Sequence, residues 1–143
     1  MAEDDLSESA LHALETLSEP SVYVQVAYAS TPDAARMIIE SLPAVGELLS
    51  LGPEAGRAAL RLLEREGEEG DDELTSIALY VLQRVPTEGA GKLLAEAFTR
   101  QQFSGLNQYL AAEALLTYAD VEKVSEDTLT AATRAAEKLK ERE

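Results

Sequence analysis

The segments LTSIALYVLQRVP, residues 74–86, and LNQYLAAEALLTYAD, residues 106–120, decide the fold predicted for this chain. Each begins with an apolar helix rich in small residues, and a short turn leads from it to a second, more polar helix. The four predicted helices run over Leu74–Val85, from Thr87 to about Gln102, over Leu106–Tyr118, and from about Ser125 or Glu126 to Lys140. Two such pairs in succession are typical of a helical repeat.

Further helices are expected before these segments. Their predicted positions are a helix that Asp5 and Glu8 cap and that ends near Leu17, one capped by Thr31 and begun by Pro32, a short one over 45–51, and one over Pro53–Glu66. Ser21–Ser30 is rich in β-branched and aromatic residues, so a strand is one interpretation. Because the chain offers no second strand signal, we interpret this segment as a buried helix.

The chain is expected to form one domain over residues 1–143. Residues 64–73, which read EREGEEGDDE, are the most polar internal stretch and contain two glycines. They are predicted to form an exposed loop, and they are the predicted seam if the chain has halves. An acidic tag that binds a partner is the alternative interpretation of this segment.

Composition excludes several classes of function. The formal net charge of −15 repels phosphates and anionic lipid headgroups, so neither nucleic acid nor a membrane surface is an expected partner. The chain has no cysteine, which excludes disulfides, thiolate metal sites and cysteine nucleophiles. It shows no secretory signal and no apolar run of membrane-spanning length, so a cytoplasmic location is expected.

The second half of the chain resembles HEAT-like repeats. IALYVL at residues 77–82 and LAAEAL at residues 110–115 are offset by 33 residues, and AEALLTYAD at residues 112–120 is similar to the end of a first HEAT helix and its turn. The Asp and Arg ladder usual in the family is missing, with GLNQ at residues 105–108 where it is expected. The resemblance implies an all-α fold, an α-α superhelix of antiparallel helix pairs, in which second helices line a concave protein-binding surface.

No catalytic, metal or cofactor motif is evident. The segment TEGAGKL at residues 87–93 lacks the first glycine of a phosphate-binding loop and has Leu93 where a magnesium-binding Ser or Thr is required. His12 is the only histidine, so neither a histidine metal site nor a Ser-His-Asp triad has support. The carboxylates of the 64–73 segment do not match a calcium loop. We therefore expect no enzyme activity, no bound metal and no cofactor.

Basic residues recur at four-residue spacing on three predicted helices. The sets are Arg57, Arg61 and Arg65; Arg134, Lys138 and Arg142; and Lys92 and Arg100, which flank Glu96. Aligned in a stack, such stripes would form a basic groove for an acidic peptide or another anionic ligand. Ion pairing with glutamates of the same helix is the simpler interpretation. The residues predicted to contact a partner are Lys92, Glu96, Arg100, Arg134 and Lys138.

The function expected from the sequence is a non-enzymatic scaffold that binds a protein or peptide partner on a curved helical surface. Self-association is a further expectation, because a short stack exposes two apolar ends. The first alternative is a small helical ligand-binding protein or enzyme with a pocket between helices, and Glu113, flanked by Ala112 and Ala114, is its first candidate carboxylate. The second alternative is a structural subunit or inhibitor built as an irregular helical bundle.

Overall fold

In the computed structural model, the protein is all-α over the residues that the structure describes, which are 6–17, 19, 21, 24–29, 31–66, 72–85, 87, 89–99, 106–118 and 126–141. These residues contain eight α-helices, one 3₁₀ helix and no strand. The α-helices are α1 (Glu8–Leu17), α2 (Pro32–Ser41), α3 (Pro43–Leu49), α4 (Pro53–Glu66), α5 (Asp72–Arg84), α6 (Ala90–Thr99), α7 (Leu106–Tyr118) and α8 (Glu126–Glu141), and the 3₁₀ helix is Val24–Tyr28.

Local signals set several helix boundaries as predicted. The Thr31 side chain accepts a hydrogen bond from the Ala34 N–H at 3.1 Å, and Pro32 is the first residue of α2. The helices predicted over Pro53–Glu66 and Leu106–Tyr118 have those bounds as α4 and α7. Caps and prolines act on the first turn of a helix, so the surrounding fold changes their effect little.

Two predicted caps differ in the structure. The Ser7 hydroxyl, rather than the Asp5 carboxylate, accepts from the Ala10 N–H at 3.2 Å, and Asp5 lies outside the described residues. Thr87 is not the N-cap residue of α6, because that helix begins three residues later, at Ala90, and the Thr87 hydroxyl donates to the Val85 carbonyl at 2.8 Å. Short polar side chains bond readily to several nearby backbone groups, so spacing alone does not determine which residue caps a helix.

The described part of the segment Ser21–Ser30 is helical, as predicted, and contains no strand, but its helix is a short 3₁₀ helix that is mostly exposed. Val24–Tyr28 forms a 3₁₀ helix in which Val26 is buried, whereas Val24 and Tyr28 are exposed. A tighter helix with three residues per turn places only one of these three side chains against the core. Tertiary packing therefore overrides the β propensity of the segment.

The acidic segment at residues 64–73 is helical at both ends: residues 64–66 belong to the helix predicted over Pro53–Glu66, and residues 72 and 73, which were predicted to lie in the loop, begin the next helix. Helix α4 continues to Glu66 and α5 begins at Asp72, while residues 67–71 lie outside the described part of the chain. Glutamate has a good helix propensity, and an acidic residue in the first turn of a helix is stabilised by the helix dipole. Among the described helix pairs, α4 and α5 form the most extensive contact.

Helix α5 lies at the centre of the core. Every side chain from Leu74 to Leu82 is buried, and α5 contacts α2, α3, α4, α7 and the 3₁₀ helix. A helix that is buried on all sides needs apolar residues all round rather than one apolar stripe, which agrees with the continuous run IALYVL. The two buried polar residues at its start, Thr75 and Ser76, both have polar partners.

Helix α7 packs between α5 on one side and α6 and α8 on the other. Leu110, Ala111, Ala112, Ala114 and Leu115 are each at most 1% exposed. Their small average size allows the neighbouring helices to approach closely. The Ser76 hydroxyl of α5 donates to Asn107 Oδ1 of α7 in the buried interior.

The carboxyl end of α5 is fixed by a tyrosine from α7. The Tyr118 hydroxyl donates to the Leu82 carbonyl at 3.1 Å and accepts from the Thr87 N–H at 2.7 Å, and its side chain is fully buried. In a continued helix the Leu82 carbonyl would accept from residue 86, but residue 86 is proline and has no N–H. Tyr118 therefore supplies the hydrogen bond that Pro86 removes.

Gly56 allows α4 to approach the same end of α5. A Cβ atom at this position would overlap the Thr87 hydroxyl and would lie 2.9 Å from the Val85 carbonyl oxygen. No residue with a side chain fits at this distance without a shift of the chain around Thr87. Gly56 and Tyr118 thus hold residues 85–87 from two sides.

Candidate functional site

An open cleft lies between α6, α7 and α8, and we call it the α6–α8 cleft. Its volume is about 310 Å³. The residues that line it are Phe98 and Thr99 of α6, Gln108 of α7, and Asp127, Thr128, Ala131 and Ala135 of α8. Thr99, Gln108, Asp127 and Ala131 are exposed, so the cleft is accessible from solvent. Its volume is at the lower end of the range for ligand pockets, about 300–1,000 Å³.

The shape of the cleft follows from side-chain size on the facing helices. Phe98 is half-buried and packs against the core with part of its ring, while its remaining surface faces the cleft. Opposite it, α8 presents Ala131 and Ala135, which stop at Cβ and leave space. A large aromatic residue facing two alanines therefore produces an apolar wall that no other described side chain fills.

Polar groups surround this apolar wall. Asp127 lies in the first turn of α8, and among the described residues that line the cleft it is the one that carries a charge. Gln108 of α7 and Thr99 of α6 add an amide and a hydroxyl, which both accept and donate hydrogen bonds. The cleft thus combines an exposed aromatic face, a carboxylate and neutral hydrogen-bonding groups.

None of the predicted partner-binding residues whose side chains the structure describes lines this cleft. Lys92 and Glu96 are exposed on α6, and at spacings of seven and three residues from Thr99 they share its helix face. Arg134 is exposed on α8, three residues after Ala131. Arg100 lies outside the described residues, and so does the side chain of Lys138.

One contact on α4 supports the interpretation that its basic residues pair with glutamates of the same helix. Arg57 Nη2 lies 3.9 Å from Glu54 Oε2 on the same helix, a distance at the limit of an ion pair. Arg61 also has an interaction partner, and the side chain of Arg65 lies outside the described residues. For Arg57 at least, intrahelical pairing accounts for the spacing.

A second polar cluster joins α2 to α7. Arg36 Nη1 lies 2.6 Å from Asp33 Oδ1, and its Nη2 pairs with Glu113 Oε1. The Arg36 Cζ atom lies 5.5 Å from the centroid of the Tyr109 ring, which is buried. Glu113, the first candidate carboxylate of a ligand pocket, is therefore engaged by an arginine, and it lines neither the α6–α8 cleft nor the His12 cleft described below.

The same combination recurs between α2 and α5. Arg84 Nη2 lies 2.6 Å from Glu40 Oε1, and the Arg84 Cζ atom lies 5.1 Å from the centroid of the Tyr80 ring. Burial raises the pKa of Tyr80 above 10.0, and a hydrogen bond with Glu40 raises it further. The positive charge of Arg84 opposes this increase in pKa without cancelling it.

His12 lines a second open cleft between α1 and α3, with a volume of about 400 Å³. Its other lining residues are Glu8, Ser9, Glu47, Ser50 and Leu51. No group of three or more His, Cys, Asp or Glu side chains among the described residues is arranged to hold a metal ion.

In the rejected phosphate-loop segment, Lys92 is exposed on α6 and Gly91 is buried within the same helix. Gly91 thus belongs to a packed helix rather than to a loop. Within the part of the chain that the structure describes, no helix combines the length and apolar character needed to cross a membrane.

Comparison with known proteins finds no significant match for this chain among family models, curated proteins or solved structures.

Proposed function

We propose that the protein is a non-enzymatic scaffold that binds a protein or peptide partner in the α6–α8 cleft. The observation that carries the proposal is an accessible apolar wall, made by half-buried Phe98 facing Ala131 and Ala135, with polar groups around it. Exposed aromatic side chains in such surroundings are frequent anchors of protein interfaces. The charge of the chain makes a protein partner a better proposal than nucleic acid or a membrane.

The proposal includes a HEAT-like α-α superhelix for the second half of the chain. Its support is that α5 and α7, the two first helices, contact each other directly, while α6 and α8 both contact α7. In such a superhelix α6 and α8 would be the second helices, and residues of both line the α6–α8 cleft. From the first half of the chain, α2, α3 and the 3₁₀ helix contact α5.

The residues on either side of the cleft extend the proposed surface. Lys92, Glu96, Arg134 and Lys138, with Arg100 beyond α6, would contact the parts of a partner that do not enter the cleft. Exposed charges of this kind alter association rate and selectivity more than they alter affinity. A second copy of the chain is one partner that the proposal allows.

The test is affinity capture from native lysate with three variants beside the wild type. Ala131→Gln fills the cleft from its exposed wall, and Thr130→Gln makes a comparable change at the neighbouring exposed position, which does not line the cleft. We expect a captured protein to be lost with Ala131→Gln and kept with Thr130→Gln. The double variant Arg134→Glu/Lys138→Glu reports on the flanking charges. Equal capture by the wild type and Ala131→Gln would overturn the cleft as the binding surface.

No specific observation favours the ligand-binding or enzymatic alternative. Its candidate carboxylate, Glu113, is paired with Arg36. This ion pair joins α2 to α7. The irregular-bundle alternative predicts a compact, uncurved particle, which small-angle scattering would distinguish from a curved stack.

A further inference from the structure

The protein holds two of its own arginines in the same way. Arg36 lies against the Tyr109 ring and pairs with Glu113, and Arg84 lies against the Tyr80 ring and pairs with a carboxylate of α2. A guanidinium is planar and weakly hydrated, so it stacks on an aromatic face while its N–H groups bind a carboxylate. In both places an aromatic ring and a carboxylate together recognise one arginine.

The α6–α8 cleft presents the same two groups without an arginine. Phe98 supplies the aromatic face and Asp127 supplies the carboxylate, on opposite helices of one opening. None of the described residues that line the cleft is basic. Gln108 adds a side-chain carbonyl, which accepts from N–H donors that the carboxylate does not engage.

We propose that the α6–α8 cleft binds an arginine side chain of the partner, with its guanidinium between Phe98 and Asp127. This inference rests on the proposed function and names the anchor of the partner. The aliphatic part of the arginine would lie along Ala131 and Ala135, which are small enough to admit it.

Charge complementarity selects this occupant over the other candidates. The chain carries a net charge of −15, so a basic segment is attracted to it from a distance. An acidic side chain would face Asp127 and be repelled. A leucine would use the apolar wall and leave the carboxylate without a partner, and a lysine has no planar group to stack on Phe98.

The first experiment uses three blocked tripeptides as probes of the full-length ¹⁵N-labelled protein. They are acetyl-Gly-Arg-Gly-amide, its lysine counterpart, and a counterpart with citrulline, which has the shape of arginine without the charge. We expect the arginine peptide to shift the backbone amide signals of Phe98, Gln108 and Ala131 in a saturable way. The lysine peptide should bind about fivefold more weakly, because it keeps the charge but has no planar group to stack on Phe98. The citrulline peptide should also bind about fivefold more weakly, because it lacks the charge contact with Asp127, which is worth up to about 1 kcal/mol.

The second experiment compares two neighbouring carboxylates. Asp127→Asn should weaken binding of the arginine peptide about fivefold, for the same reason. Glu126→Gln is the matched control, since Glu126 is exposed in the same first turn of α8 and does not line the cleft. Both variants lose one negative charge near the helix N-terminus, so any general effect of charge or of the helix dipole is common to them.

Equal binding of the three peptides, no saturable shift with any of them, or an Asp127→Asn variant that binds like the wild type would each overturn the arginine proposal. The capture experiment distinguishes this outcome from failure of the proposed function. If capture depends on Ala131 but not on Asp127, the cleft remains the docking surface and its anchor is another side chain. If capture is indifferent to Ala131 as well, the docking surface itself is wrong.

Discussion

Replacing Tyr118 with phenylalanine should lower the free energy of unfolding by about 2 kcal/mol. The change removes only the hydroxyl, which donates to the Leu82 carbonyl at 3.1 Å and accepts from the Thr87 N–H at 2.7 Å. Each intramolecular hydrogen bond contributes about 1 kcal/mol net, so the loss of two contributes about 2 kcal/mol. The Leu82 carbonyl has no replacement donor along the chain, because residue 86 is proline.

The assay is urea denaturation at equilibrium, followed by circular dichroism. For a chain of this length, a loss of 2 kcal/mol corresponds to a melting temperature lower by about 4–8 °C. Tyr28→Phe is the matched control, since Tyr28 is 80% exposed and its variant should stay within about 0.5 kcal/mol of the wild type. If Tyr118→Phe were as stable as Tyr28→Phe, the reasoning that Tyr118 compensates for Pro86 would be wrong.

Three other perturbations have defined outcomes. Gly56→Ala should lower the free energy of unfolding, measured by chemical denaturation, by about 1–3 kcal/mol, because the added Cβ would overlap the Thr87 hydroxyl. The control is Gly46→Ala, which has open space around the added Cβ and should be neutral or stabilising by up to about 1 kcal/mol. Thr31→Ala should cost about 1 kcal/mol in the same assay through loss of the α2 cap. Folding raises the pKa of Tyr80, so its neutral side chain contributes its full stabilisation below pH 10.0. This contribution should decline as the pH rises through the folded-state pKa of Tyr80. Alkaline denaturation of Tyr80→Phe beside the wild type would check this pH dependence.

The sequence predicted the helices best where the signals were local. Thr31 with Pro32 marked the start of α2, and the bounds of α4 and α7 were confirmed. The sequence-based prediction was wrong where a side chain had several possible hydrogen-bond partners. Thr87 was expected to cap α6, but α6 begins three residues later, at Ala90, and the Thr87 hydroxyl donates to the Val85 carbonyl just after α5.

The candidate site could not be predicted from spacing alone. Phe98 appears in the sequence as one more apolar residue of α6, and only the position of α8 shows that part of its ring faces open space. Asp127 is one of many carboxylates, and nothing in its local sequence marks it. Of the three sets of basic residues at four-residue spacing, two include residues of α6 and α8, the two helices that face each other across the cleft, but those with described side chains do not line it. Which faces of α6 and α8 line the cleft depends on the relative positions of the helices, and these are set by contacts between residues distant in the sequence.

The central position of α5 also determines which parts of the protein can open independently. Ile77, Ala78, Leu79, Val81 and Leu82 are each 0% exposed, and four other α-helices cover them. Fraying of any single outer helix leaves most of this surface covered by the others. The backbone amides of residues 77–82 should therefore exchange their hydrogens with solvent only when the whole fold opens. Their exchange rates in the native protein would measure its global stability directly, without any denaturant.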